Sequence, residues 1–208
     1  MSLTFPREMT SAYEWAQADL ALVHRQELAR TAGGDSQAKD MGPAVWRATY
    51  ATVPMPEGGA RALYADLLTL RGAVHPFYVT VLPDAPAARD GEALAGVTVA
   101  SVSPDNAALA LTGLPAGFEM TYGDYLSIET AAGGRELHML ARGAAADGSG
   151  ATPEMEVVPH VRPGTTAGDA VTLVGPVVEM KLEPGSLRHE RLNAVLGRVS
   201  FQAVQVIR

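Results

Sequence analysis

Apolar positions along this chain recur with two periods. In residues 57–71 the period is that of a helix. Ala60, Leu63, Leu67 and Leu70 share one face there, with Tyr64 and Leu68 beside them. Pro56 sits near the start and Gly72 just past the end, where a left-handed cap is expected. Elsewhere the pattern is that of strands. Leu20-Ala21-Leu22-Val23-His24 reads as one, and Val45–Val53, rich in aromatic and β-branched residues, as a stronger one that Pro54 and Pro56 end. His75–Leu82 is a third, with Pro76 confined to its start or to a sheet edge because it lacks an N–H. After residue 91 short strands alternate with Gly, Pro and Asp turns, at 95–103, 107–112, 124–130, 135–142, 154–161, 170–174, 176–182 and 198–207. Met155, Val157, Pro159 and Val161 alternate with Glu154, Glu156, Val158 and His160, and Val178, Met180 and Leu182 alternate with Glu179 and Lys181. Strands this short and evenly spaced indicate a sandwich or small barrel. The expected fold is mainly β with one packed α-helix.

Between these elements lie three notable loops. Residues 32–37 are small and polar and are expected to be exposed and mobile. Residues 83–91 hold two prolines and form the expected domain junction. Asp147-Gly148-Ser149-Gly150 reads as a flexible hairpin tip. Gly33-Gly34 and Gly58-Gly59 carry no phosphate-cradle pattern and read as turns.

The 208 residues are 47% hydrophobic, enough to bury a core of one large or two small domains. Only 19% are charged, which fits a surface partly covered by partners or a bias toward Ala and Gly. The net charge of -7 and the lack of a basic run argue against a general nucleic-acid or anionic-membrane binder; Arg188-His189-Glu190-Arg191 comes closest and is interrupted by its own Glu. With no cysteine there is no disulfide, thiolate catalysis or Cys-based metal site. Met1–Glu8 has no charged n-region leading to an apolar run, and no apolar stretch is long enough to span a bilayer, so synthesis and folding in a cytoplasm without a signal peptide are expected.

No catalytic set stands out: there is no nucleophile elbow, Walker A loop, H-E-x-x-H or EF-hand pattern. Of the five histidines, His138 and His160 fall on neighbouring expected strands, where a metal would need Glu136 or Glu154 as a third ligand. The favoured reading is two solvent-facing residues. Carboxylate pairs suited to glycosidase chemistry would be Asp84 with Asp90, Asp124 with Glu129, and Glu154 with Glu156, each of which also fits a turn or a solvated strand face. Trp46 and Tyr50 point to one face of their strand, as a sugar platform or, more commonly, as core or an interface anchor. The expectation is therefore a protein with no catalytic residues, cofactor or metal.

Three stretches carry a resemblance. Trp46-Arg47-Ala48-Thr49-Tyr50 leads through Pro54-Met55-Pro56 and the helix to Leu70-Arg71-Gly72 and Pro76-Phe77. Leu111-Thr112-Gly113 leads to Tyr122-Gly123-Asp124-Tyr125-Leu126-Ser127-Ile128. Val157-Val158-Pro159-His160-Val161-Arg162 leads through Gly168 to Pro176-Val177-Val178-Glu179-Met180. In this order they resemble the small tail proteins of siphophages and gene transfer agents, most of all the distal tail protein. The resemblance implies a homohexameric ring at the tail tip of the virion. Residues 1–90 and 172–208 would form a β-sandwich ring body, and 91–171 a small inserted β-barrel-like module. The implied partners are further copies of the chain, the tail tube protein, and hub and fibre proteins. DNA would pass through the channel without specific binding, discouraged from sticking by acidic residues such as Asp35, Asp84 or Asp90. Trp46, Tyr50, Phe77, Tyr122 and Tyr125 are the expected interface or core anchors. The alternatives are a carbohydrate- or receptor-binding module, for which Phe118, Tyr122 and Tyr125 supply the aromatics, and a tail-associated hydrolase.

Overall fold

The computed structural model describes residues 3–81, 94–130 and 133–207. They form a mainly β structure with one α-helix and one closed barrel, in two compact units. One unit comprises Glu14–Gly72 and Leu182–Ile207; the other takes the described residues of Met1–Tyr13 and Ala73–Lys181. The expected junction at 83–91 lies outside the described residues.

The first unit is built on strands β1 (Trp15–Val23), β4 (Val45–Thr52) and β17 (Leu196–Gln205), in that order, with β5 (Met55–Pro56) and β16 (Arg188–Arg191) also pairing with β17. Strict alternation gives β4 and β17 a buried face: Trp46, Ala48, Tyr50 and Thr52 on one strand, Gly197, Val199, Phe201 and Ala203 on the other. Helix α1 (Glu57–Leu68) lies over that face. Its buried residues are Ala60, Leu63 and Leu67, with Leu70 just beyond, as the helical spacing predicts. Gly58 and Gly59, expected in a turn, belong instead to its first turn. The helix ends three residues before the expected boundary, at Leu68, and Arg71 and Gly72 reverse the chain with φ of 53° and 65°. Gly197 lets the helix come this close: a Cβ there would lie 2.5 Å from Glu57 Oε2 and 2.9 Å from Ala60 Cβ. Trp15, Tyr50 and Phe201 fill the same layer, Tyr50 stacked on Phe201 at 5.5 Å and Trp15 edge-on to Tyr50 at 4.8 Å. Two backbone N–H groups buried with them are paired, Trp46 N donating to Gln205 Oε1 and Val199 N to Thr52 Oγ1.

In the second unit, β7 (Thr98–Val102), β8 (Ala108–Thr112), β10 (Tyr125–Glu129), β11 (Arg135–Leu140), β13 (Met155–Val158) and β14 (Ala170–Thr172) close into a barrel in the order β10-β11-β13-β8-β7-β14. Closure leaves the barrel no free edge. Its interior holds Val99, Leu109, Leu111, Leu126, Ile128 and Val157, among others. A short ribbon of β9 (Glu119–Met120) and β12 (Ala144–Ala145) adds Met120 to that core. Asp147–Gly150, expected as a flexible tip, is a tied turn. Asp147 Oδ1 accepts from Ser149 N, Ser149 Oγ and Ala151 N, and Leu114 N donates to Gly150 O. Those bonds hold the Asp147 carboxyl below the ordinary range, the Ser149 hydroxyl contributing most. Strands β6 (Phe77–Thr80) and β15 (Val177–Leu182) pair antiparallel in this unit, and the N-terminal segment bridges β6 at Glu8 and Tyr78.

Glu8 pins that segment. Its Oε1 accepts from Thr10 N at 2.8 Å, Thr10 Oγ1 at 2.7 Å, Ser11 N at 2.9 Å and Thr80 Oγ1 at 3.1 Å. Burial alone would raise its pKa, but the hydroxyls and N–H groups of Ser11 and Thr10 together outweigh it and the net shift is downward. A depressed carboxyl adds stability above the unfolded-state pKa of about 4.3, lost as pH falls through the folded value. Acid denaturation curves of Glu8→Gln should therefore be shallower than wild type below about pH 4.3 and parallel to it near neutrality. For the helix, Leu67→Ala should cost about 2–5 kcal/mol in urea unfolding, because Leu67 is fully buried. Leu68→Ala, at a residue 52% exposed, should stay within about 0.5 kcal/mol.

Candidate functional site: a free strand edge and an exposed hairpin

Eight of the nine residues of β1 pair along one edge with β4, from Trp15 opposite Thr52 to Val23 opposite Val45, with an irregularity at Ala16. Among the described strands β1 has no second neighbour. Its other edge therefore offers a row of backbone donors and acceptors. Gln17, Asp19 and Ala21 stand exposed on one face, while Ala18, Leu20 and Leu22 are half-buried on the other.

The chain runs directly from β1 into a hairpin of β2 (Gln26–Arg30) and β3 (Ser36–Asp40). All ten strand residues are exposed. Local bonds hold it. Glu27 sits opposite Lys39, Gln26 Nε2 donates to Asp40 Oδ1 at 2.7 Å, and Thr31 N donates to Asp35 O at 2.9 Å across the turn. Leu28 and Met41 are 63% and 55% exposed. A two-stranded ribbon without a core of its own is marginal in water, so this one gains most by packing on a partner. Sequence reasoning placed a loop at 32–37; Ser36 and Gln37 are in β3, and the turn is closed by hydrogen bonds. The hairpin escaped notice because its strands lack alternating apolar residues.

Of the five expected anchors, Trp46, Tyr50 and Phe77 are core residues, 2%, 2% and 0% exposed. Tyr125 is half-buried, opposite Met139, and burial raises its hydroxyl pKa. Tyr122 alone of these presents its ring to solvent, at 80% exposure, beside a shallow groove of about 290 Å³ lined by Glu119, Thr121 and Ala144. Phe118 belongs to the barrel core, so Phe118, Tyr122 and Tyr125 do not share a surface.

The histidines part company. His160 is exposed, as is Glu154, whereas His138, expected to face solvent, is 1% exposed. Its register explains the difference: His138 lies opposite Leu126 and Glu136 opposite Ile128, so both point into the barrel with those core residues. His138 Nδ1 donates to Pro159 O at 2.8 Å, while its Nε2 lies 3.6 Å from Glu136 Oε2. Arg162 comes within 3.8 Å of Glu136 Oε1. Burial lowers the Arg162 pKa and the Glu136 carboxylate offsets part of that shift. Among the described residues no three His, Asp or Glu side chains could hold a metal. Glu136 pairs instead with the Arg162 guanidinium, beside the apolar interior.

Three of the candidate carboxylates have structural partners. Asp124 Oδ2 accepts from Thr121 N and Oγ1, Glu129 pairs with Arg135 at 3.1 Å, and Glu156 lies 3.9 Å from Arg142. Asp84 and Asp90 fall outside the described residues. A further contact, not expected from sequence, brings Glu57 Oε2 within 3.5 Å of His189 Nε2 beside Gly197. Among the described residues no helix is long and apolar enough to cross a membrane.

Removing Glu136 would take the carboxylate away from the half-buried Arg162 guanidinium. Glu136→Ala should destabilise the protein by on the order of 3–5 kcal/mol, read as a lowered urea midpoint. Glu129→Ala, at an exposed pair, should cost under about 1 kcal/mol. In comparison with known proteins, the chain matches no family model and no curated sequence.

Proposed function

We propose that the protein is a structural component of a virion, forming a homohexameric ring at the distal end of a long non-contractile tail and joining the tail tube to hub and fibre proteins. The observation that carries this reading is the free nine-residue edge of β1 continuing into a hairpin whose ten strand residues are all exposed. An edge of this kind invites pairing with another chain. Head-to-tail contact between identical copies closes into a ring when the rotation suits it. The sheet-and-helix unit interrupted in sequence by a closed barrel accords with the architecture that the tail-protein resemblance implies. So does the placement of side chains. Asp124, Glu129 and Glu156, three of the four candidate carboxylates within the described residues, are engaged in a turn or in ion pairs, which favours a scaffold over a hydrolase.

A saccharide contact on the barrel is the second reading, favoured by the exposed ring of Tyr122 above its groove. Glycan-array binding that is lost in Tyr122→Ala would support it.

The ring reading is tested by light scattering and negative-stain imaging, alone and with co-expressed tail-tube and hub proteins. Wild type should give a closed six-subunit ring with a central hole. Replacing residues 26–40 by a short Gly-Ser connection should abolish the ring and shift the unfolding midpoint little, since the hairpin buries no core. A monomer under both conditions would overturn the reading.

A further inference from the structure

On the face of the β1–β4–β17–β16 sheet turned away from α1 lies a hollow of about 500 Å³. The strand register makes it. One row across four strands reads Arg188, Ser200, Ala51, Gln17. Two short side chains, Ser200 and Ala51, form the floor between two long ones. The neighbouring row sets Arg198 directly opposite Glu190, and Gln202 and Thr49 line the far wall.

We propose that this hollow is a binding site for a phosphate group. Two arginines converge on it in a protein whose net charge is -7, so the hollow is locally cationic against an acidic background. Among the lining side chains Glu190 offsets one of the two charges and leaves one positive, while Asp19, opposite Thr49 just outside the lining, is bonded to Gln17 Nε2. Arg198 is half-buried; its Nε is shielded from solvent and has no hydrogen-bond partner. A buried donor without an acceptor is costly, and an oxyanion oxygen would supply the acceptor. Arg188 stands exposed at the rim and donates a long bond of 3.4 Å to Leu187 O, which leaves its fork able to swing over the hollow. A tetrahedral phosphate has oxygens enough to engage both guanidinium groups and the neutral donors Ser200 and Gln202 at once. A volume of 500 Å³ lies within the range of small-molecule sites and exceeds one phosphate, so the group would be carried on a larger molecule. That molecule is a small phosphorylated compound or the backbone of a nucleic acid. This site is independent of the ring reading, because it lies within one copy.

Titration calorimetry on the full chain at low ionic strength tests it, with inorganic phosphate as the probe and a short DNA duplex in a parallel arm. Saturable phosphate binding is expected. Arg198→Gln and Arg188→Gln should each weaken it at least about tenfold, the loss of a charge-assisted hydrogen bond. Ala51→Leu, which fills the floor, should remove it. Glu190→Gln should tighten it severalfold, an effect no unfolded variant can give. Duplex binding that free phosphate displaces, and that Arg198→Gln weakens equally, assigns the site to a nucleic-acid backbone. Phosphate binding without duplex binding assigns it to a small phosphorylated ligand. No saturable binding of phosphate, or binding unchanged in Arg198→Gln and Ala51→Leu, overturns the proposal.

Discussion

Much of the unit formed by Glu14–Gly72 and Leu182–Ile207 depends on the close approach of α1 to β17 at Gly197. A strand residue without a side chain lets the first turn of the helix touch the sheet, bringing Glu57 and Ala60 down onto the strand. Further along the same face the layer thickens to take the Trp15, Tyr50 and Phe201 rings. The helix-facing side of β17 thus grades from a missing side chain to a large aromatic, and the helix spans that gradient with Ala60, Leu63 and Leu67. Close packing of this kind tolerates little change in volume on either side.

The opposite face of the same strands obeys different chemistry. Freed from packing against the helix, it carries Thr49, Ser200, Gln202 and the arginines of β16 and β17. A single register therefore commits β17 to two tasks, one face in the core and the other building a polar hollow. Sliding the strand by one residue would exchange them, which is why the buried aromatic face fixes the position of the arginines as firmly as it fixes the core.

The two units solve the problem of sheet edges differently. The barrel closes on itself and leaves no edge, and it can then afford a buried Glu136–His138–Arg162 group among aliphatic residues. The β1 edge stays open, and the hairpin that follows it is held only by its turn and cross-strand bonds. An open edge next to a coreless ribbon is the feature that most asks for a partner, and the assembly reading rests on it.

The helix, the strength of β4, eight of the eleven described strands after residue 91 and the absence of common catalytic motifs were legible in the sequence, because each depends on local periodicity or composition. Leu63, Leu67 and Leu70 could only lie on one face of a helix, and Trp46 and Tyr50 only on one face of a strand. Which face is buried is another matter. Around His138 the alternation is ambiguous: Leu137 and Met139 look like the inward set, yet pairing with β10 turns Glu136 and His138 inward and covers Leu137 as well. The β2–β3 ribbon and β16 have no apolar alternation to announce them, since cross-strand bonds define them rather than burial. The arginines of the hollow are ten residues apart in the chain and meet through strand pairing alone. Local pattern thus determined the elements, and long-range register, set by the fit of whole faces, decided which side chains meet.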